Sequence, residues 1–174
     1  LKNHEKYRIN SSNILMCPSR FAPNKKELHT QAIDLYLELT LDKTSTWELF
    51  FVGSIQQNLY YQNLVRKCAK MNVKFVTDAC FVEKLSEIIS IADKVIAVGR
   101  TAMESILLQK ETYVPSFTGT PTKIDTSNIF LYQSNNFTWR APCLQQSKIL
   151  SLKTPNSLYA YVNNEYNSQF FIEK

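Results

Sequence analysis

The stretch IADKVIAVGRTAMESILLQKETYV, residues 91–114, contains a strand, a helix and a second strand in direct succession. Residues 94–99 are a short apolar run rich in β-branched side chains, which predicts a buried strand. Residues 101–109 favour a helix, and residues 111–115 predict the next strand. Two strands joined by a helix through connections this short predict parallel neighbours in one sheet.

The same alternation of strand and helix extends back toward the start of the chain. Each predicted helix carries apolar residues three and four positions apart, as expected for a helix packed on a sheet. The further strands are predicted at residues 13–19, 46–53 and 72–77, and the further helices at residues 25–39, 60–71 and 81–93. The pattern predicts an α/β fold, a Rossmann-like three-layer α/β/α sandwich with a mostly parallel sheet.

The pattern changes after Pro115. Residues 116–128 are polar and contain glycine and proline, which predicts a long loop. Residues 129–133 predict a short strand. Two C-terminal helices are predicted at residues 141–151 and 155–173, each with a proline near its start.

The composition suits one domain with an anionic partner. The chain has 174 residues, of which 44% are hydrophobic, and a net charge of +5. This charge is compatible with a phosphate-bearing ligand, nucleic acid or an anionic membrane. The basic residues are scattered and form no run, so nucleic acid is not expected as a partner. Because the sequence begins with leucine, we expect it to be part of a longer protein or to lack its disordered start.

Cysteine and histidine provide no sign of a metal site. The four cysteines form no CxxC pair and have no zinc-ligand spacing. Cys17 and Cys68 lie in apolar patterns and are expected as reduced core residues, which favours a reducing compartment. His29 is expected on a helix surface. The chain has only two histidines, no Ser/His/Asp arrangement is evident, and catalytic residues stay unassigned.

In an open parallel sheet, ligands bind outside the carboxyl ends of the strands. The loops at these ends are predicted at residues 19–26, 53–57, 77–81 and 99–104. Two of the three glycines, Gly53 and Gly99, fall in these loops. At both positions we expect close approach of the backbone to a ligand.

Two of these loops carry candidate anion ligands. Arg20 and Lys25 bracket the turn after the first strand and are placed to contact a diphosphate, although a merely solvated turn has the same pattern. Arg100 precedes a helix whose N–H groups would bind an anion. Glu104 follows one turn later and could accept hydrogen bonds from a sugar, but Thr101 and Glu104 also match a capping box, which spacing alone favours.

The loop after the third strand has the sequence VTDACF. Backbone groups at Thr77 could contact a flat base there, although an ordinary aspartate-containing turn has the same sequence and is the favoured interpretation.

Four segments together resemble the C-terminal, nucleotide-sugar-binding domain of group 1, family 4-like glycosyltransferases of the two-domain B fold. The resemblance covers about residues 13–140. The segments are CPSRFAPNKKE, WELFFVGS, the region 73–114 around the GRTAMES sequence, and GTPTKIDTSNIFLYQSNNFTWR.

The resemblance implies roles for individual residues. Arg20 and Lys25 would contact the donor diphosphate, and Glu104 would hold the ribose as the second acid of a Glu-x(7)-Glu motif. The first acid falls at Ile96, where this sequence departs from the family. A glycine expected after LLQK is also replaced, by Lys110 and Glu111.

For the whole protein, the resemblance implies hexosyl transfer from a UDP- or GDP-type sugar to a glycan or lipid-linked acceptor, without metal or cofactor. Residues 1–174 would form a single donor-binding domain, inactive without an acceptor-binding N-terminal domain of the same chain. A cytoplasmic location, peripheral contact with the inner membrane face, and a role in polysaccharide and cell-envelope biosynthesis would follow. Two alternatives stay open: one half of a sugar-nucleotide epimerase, and a catalytically degenerate interaction module.

Overall fold

The structure, a computed structural model, describes residues 13–79, 84–133 and 135–138. Its strands are β1 (Asn13–Pro18), β2 (Trp47–Val52), β3 (Val73–Val76), β4 (Lys94–Ile96), β5 (Glu111–Val114) and β6 (Thr122–Lys123). Its helices are α1 (Lys26–Leu41), α2 (Asn58–Lys67), α3 (Leu85–Ile89), α4 (Arg100–Leu107) and α5 (Ile129–Gln133). A short 3-10 turn, Pro23–Lys25, precedes α1.

The described strands form one twisted sheet in the order β3-β2-β1-β4-β5-β6. The first five pair in parallel, and β6 pairs antiparallel with β5. Strand β1 lies at the centre, with Leu15 opposite Leu49 of β2 and Met16 opposite Val95 of β4. The chain is therefore an α/β, Rossmann-like fold with a mostly parallel sheet, as predicted.

The strands are apolar on both faces because helices cover both. Leu15 and Phe51 point into one core layer, shared with α1 and α2. Met16 and Phe50, one position away on the same strands, point into the other layer, shared with α3, α4 and α5. This double burial explains why the strands read as near-continuous apolar runs.

The prediction of a strand at Ile129–Gln133 is wrong, because this segment is helix α5. The carboxylate of Asp125 accepts hydrogen bonds from the N–H and hydroxyl of Ser127, which forms a turn before the helix. The amide of Ile129 then bonds to the carbonyl of Asp125. The predicted loop 116–128 also contains the short strand β6, whereas the predicted helices 141–151 and 155–173 lie outside the described residues.

His29 and the two central cysteines are all buried. Cys17 and Cys68 are free thiols in the core, as expected. The prediction of a surface position for His29 is wrong, since its side chain is 0% exposed. It packs against Phe51 and bonds through Nδ1 to the hydroxyl of Tyr60, at 2.8 Å. None of the helices in the described part of the chain combines the length and apolarity needed to span a membrane.

Candidate functional site

The sheet has a topological switch point between β1 and β4. From β1 the chain continues to α1 on one face, and from β4 it continues to α4 on the other face. The two connections diverge, so a crevice forms at the carboxyl ends of these strands, where α/β proteins bind ligands. A cleft of about 190 Å³ lies here, with polar lining from Ser19, Arg20, Lys25, Gly53, Ser54 and Thr101. Pro18, Val52, Leu85 and Val98 form its apolar walls.

The loops after β1 and β2 are joined by backbone hydrogen bonds. The amide of Ser19 donates to the carbonyl of Val52 at 2.8 Å, and that of Phe21 to the carbonyl of Ser54 at 2.9 Å. The carbonyl of Phe21 accepts from Gln56 and Gln57 at 3.2 and 3.1 Å. The sheet pairing thus continues past the strand ends and fixes the rim of the cleft.

Gly53 is required by this loop contact. A Cβ atom at position 53 would stand 2.1 Å from the backbone oxygen of Ser19. The residue lines the cleft. The physical reason differs from the expected one, because the group that approaches Gly53 is the neighbouring loop of the chain itself.

Two cations of the cleft have no anionic partner. Within the described residues, the side chains of Arg20 and Lys25 form no salt bridge and no hydrogen bond. The described lining also includes no carboxylate. The charge of these two side chains is therefore available to an anion from outside.

Backbone N–H groups add to this positive character. The amides of Arg20 and Ser54 donate no hydrogen bond to described residues. Thr101 lies in the first turn of α4, where N–H groups have no partner inside the helix and the helix dipole is positive. Unpaired N–H groups converging on a cleft favour the binding of an oxyanion such as phosphate.

The start of α4 excludes the capping-box interpretation. Gly99 is the N-cap residue, with φ of 61° and ψ of −137°, and no side chain caps the helix. This backbone conformation is essentially restricted to glycine. The amide of Gly99 donates to the carbonyl of Phe137 at 3.0 Å, which ties the helix start to a distant segment. Thr101 and Glu104 are consequently free of a capping role.

Glu104 is half-buried without a hydrogen bond to its carboxylate from any described residue. Burial raises the pKa of this carboxyl group, and the nearby Arg100 guanidinium partly opposes the shift. Glu104 does not line the cleft, but it lies three positions after Thr101, so both are on the same face of α4. A ligand bound at Thr101 and extending along this face would meet an unpaired acceptor.

The cleft contains four of the predicted site residues: Arg20, Lys25, Gly53 and Thr101. Thr77, Gly99, Arg100 and Glu104 lie outside the described lining. Ser19 and Ser54 also line the cleft and were not predicted as individual site residues, although both lie in the predicted loops 19–26 and 53–57.

The described residues provide neither a metal-binding cluster nor an acid at position 96. Within them, no group of three or more His, Cys, Asp or Glu side chains is placed to hold a metal ion. Ile96 lies in β4 as predicted and is 0% exposed in the layer shared with α1. The position that the resemblance aligns with the first acid of the Glu-x(7)-Glu motif is therefore filled by a core side chain.

Several solved structures are similar to this chain at low identity. AviGT4, a glycosyltransferase involved in avilamycin A biosynthesis, is 13% identical over 64% of this chain and 34% of its own, with a TM-score of 0.42. UDP-GlcNAc 2-epimerase from Neisseria meningitidis, bound to UDP-GlcNAc, is 15% identical over 64% and 30%, with a TM-score of 0.43. The S. aureus MnaA–UDP structure is 9% identical over 87% and 39%, with a TM-score of 0.46.

The chain thus spans less than half the length of each of these structures. No protein-family model and no curated protein matches it.

Proposed function

We propose that this chain binds a nucleoside diphosphate sugar and is the donor-binding domain of a glycosyltransferase that transfers a hexosyl group to a glycan or lipid-linked acceptor. One observation carries the proposal: unpaired cations and free N–H groups converge on a cleft at the switch point of the sheet. The resemblance of the sequence to family 4-like glycosyltransferases supports the choice of ligand among phosphate-bearing compounds.

Each positively charged or N–H group of the cleft would contact the diphosphate in a different way. The planar guanidinium of Arg20 can hold two phosphate oxygens at once, whereas the ammonium of Lys25 acts as a point charge. The first turn of α4 contributes N–H groups and the positive end of the helix dipole. In transfer, the bond between the sugar and the diphosphate breaks and negative charge develops on the leaving oxygen. Groups fixed around that oxygen would stabilise the transition state.

The size of the cleft suggests how the ligand lies. Its volume of about 190 Å³ is below the roughly 300–1,000 Å³ of pockets that enclose a whole ligand. We place the diphosphate in the cleft and the nucleoside along α4, where Glu104 accepts hydrogen bonds from the ribose hydroxyls. The cationic lining supplies the charge that a metal would otherwise provide, so binding should be unchanged in EDTA.

The proposal extends to the whole protein. A further, N-terminal domain would bind the acceptor, and the protein would work in the cytoplasm, at the inner membrane face where the acceptor is lipid-linked.

A second function is favoured by one observation. The described cleft lining contains no acid, and Ile96 fills the position of the family's first acid. A cleft without an acid fits a catalytically degenerate module. Such a module would bind a nucleotide or a protein partner and catalyse no reaction. The same lack of a described acid in the cleft disfavours an epimerase half, which needs an acid/base pair.

Calorimetric titration with UDP, GDP, ADP and inorganic pyrophosphate tests the proposal. Arg20→Ala and Lys25→Met should each weaken binding about tenfold or more, since a charge-assisted hydrogen bond contributes about 1.5–3 kcal/mol. Arg66→Ala and Lys26→Met are matched controls at exposed positions outside the described lining. A folded chain that binds none of the four compounds, or controls that weaken binding equally, would contradict a diphosphate site.

A further inference from the structure

Phe21 is a fully buried aromatic residue in a loop, directly after an exposed arginine. Its side chain is 0% exposed, whereas Arg20 lies at the surface of the cleft. The Phe21 ring centroid is 5.0 Å from that of Tyr61 in edge contact, 5.7 Å from that of His29 and 6.0 Å from that of Phe75. The loop after β1 is therefore anchored in the same aromatic layer that packs α1 and α2 on the sheet.

The backbone of Phe21 is held on both sides as well. Its N–H donates to Ser54, and its carbonyl accepts from Gln56 and Gln57. Arg20 stands between this anchor and Ser19, whose amide is bonded to Val52. The Cα position of Arg20 is thus fixed from both neighbours, although its own amide and side chain have no partner among the described residues.

We infer that Phe21 is a positioning residue: its buried ring holds the backbone of Arg20 in place so that the guanidinium faces the cleft before any ligand is bound. What the turn binds rests on the proposed function. A cation on a fixed backbone loses less conformational freedom on binding than one on a mobile loop, so its hydrogen bonds to phosphate yield more net affinity. Loss of the ring should therefore weaken anion binding although Phe21 never touches the ligand.

Phe21→Leu is the test variant, and Phe75→Leu is its matched control. Phe75 belongs to the same cluster, with ring centroids 5.4 Å from Phe51 and 5.7 Å from Tyr61. It lies in β3, which provides no residue of the described lining. Both changes shorten one aromatic side chain of the same layer, fully buried at Phe21 and partly buried at Phe75, so both variants report on general loosening of this layer.

Two readouts separate positioning from stability. The first is the NMR order parameter of the Arg20 amide in the ligand-free 174-residue chain. The second is the dissociation constant for inorganic pyrophosphate. In Phe21→Leu we expect the order parameter to fall from about 0.85, typical of rigid backbone, to below about 0.6. We expect the dissociation constant to rise about tenfold, and neither quantity to change in Phe75→Leu.

Equal changes in the two variants, or no change of Arg20 in Phe21→Leu, would overturn the inference. If the wild-type chain does not bind pyrophosphate, the proposed function fails, and the order parameters still decide whether Phe21 positions Arg20. Phe21→Met keeps most of the side-chain volume and provides the same comparison if Phe21→Leu does not fold.

Discussion

The imidazole of His29 is buried beneath the turn that carries Arg20 and Lys25. Its Nδ1 bonds to Tyr60, whereas Nε2 has no hydrogen-bond partner within the described structure. Burial, and secondarily the charge of Lys25, lowers the pKa of His29 to about 4. The folded protein therefore favours the neutral ring.

This shift predicts a loss of stability in mild acid. His29 takes up a proton near pH 6.5 in the unfolded chain but only near pH 4 in the folded chain. The contribution of the neutral His29 ring to the free energy of unfolding is therefore complete above about pH 6.5 and declines below it. The free energy of unfolding should fall by roughly 3 kcal/mol from pH 7 to 4, at about 1.4 kcal/mol for each pKa unit. Urea denaturation across this range would measure it.

His29→Phe should remove most of this pH dependence, whereas mutation of the other histidine, His4→Ala, should preserve it. An unchanged dependence in His29→Phe would show that other groups titrate with unfolding.

A variant of Glu104 distinguishes recognition of the nucleoside from recognition of the diphosphate. Its half-buried carboxylate has no hydrogen bond from a described residue and lies outside the cleft lining. If it accepts ribose hydroxyls, Glu104→Gln should weaken UDP about tenfold and leave pyrophosphate unchanged in calorimetry. Glu87→Gln, at an exposed position of α3, is the control. Equal weakening of both ligands would indicate a general electrostatic or structural effect.

At the scale of elements, the contact between the loops after β1 and β2 determines one position. A Cβ at Gly53 would overlap the backbone oxygen of Ser19, which cannot move without breaking the loop pairing. Gly53→Ala should lower the free energy of unfolding by about 3 kcal/mol or more. Gly119→Ala, at φ of 85° but with open space around it, should cost only about 1–2 kcal/mol. Chemical denaturation of both variants compares them, and similar losses would contradict the overlap.

The repeated strands and helices were predictable because tertiary packing agrees with local pattern. Every central strand is buried on both faces, so its sequence is an apolar run, and α1 and α2 carry apolar stripes. The helix at Ile129–Gln133 was not predictable, since a five-residue apolar run is too short to show a helical or strand period. The turn at Asp125 decides its conformation. The burial of His29 had a signal, because His29, Ile33 and Tyr36 share a helical face and are all buried.

The candidate site was predictable in part for a topological reason. Parallel strands bring their carboxyl ends to one edge, so Arg20, Gly53 and Thr101 had to lie near one another. The contact of Gly53 with Ser19 and the position of Glu104 outside the cleft lining depend on the exact orientation of loops and helices. A single sequence does not specify that orientation.

At the scale of the whole molecule, the proposed function assigns this chain the binding of a donor but not the transfer of its sugar. Its described cleft has cations for a diphosphate, and its lining has no acid that could serve as base or contact the sugar. The cleft is also too small to enclose an acceptor beside a donor. We therefore expect the 174-residue chain to bind a UDP- or GDP-sugar in calorimetry without turning it over.

The chain should not speed the release of nucleoside diphosphate from the sugar nucleotide. Over several hours, with or without a sugar acceptor, release in its presence should not exceed release in buffer without protein. Binding under the same conditions must be shown, since an empty site would also give no release. Release above buffer that disappears in Arg20→Ala and persists in Arg66→Ala would contradict this expectation. The described cleft would then support catalysis without an acid in its lining, because the positive groups around the leaving oxygen alone would lower the barrier.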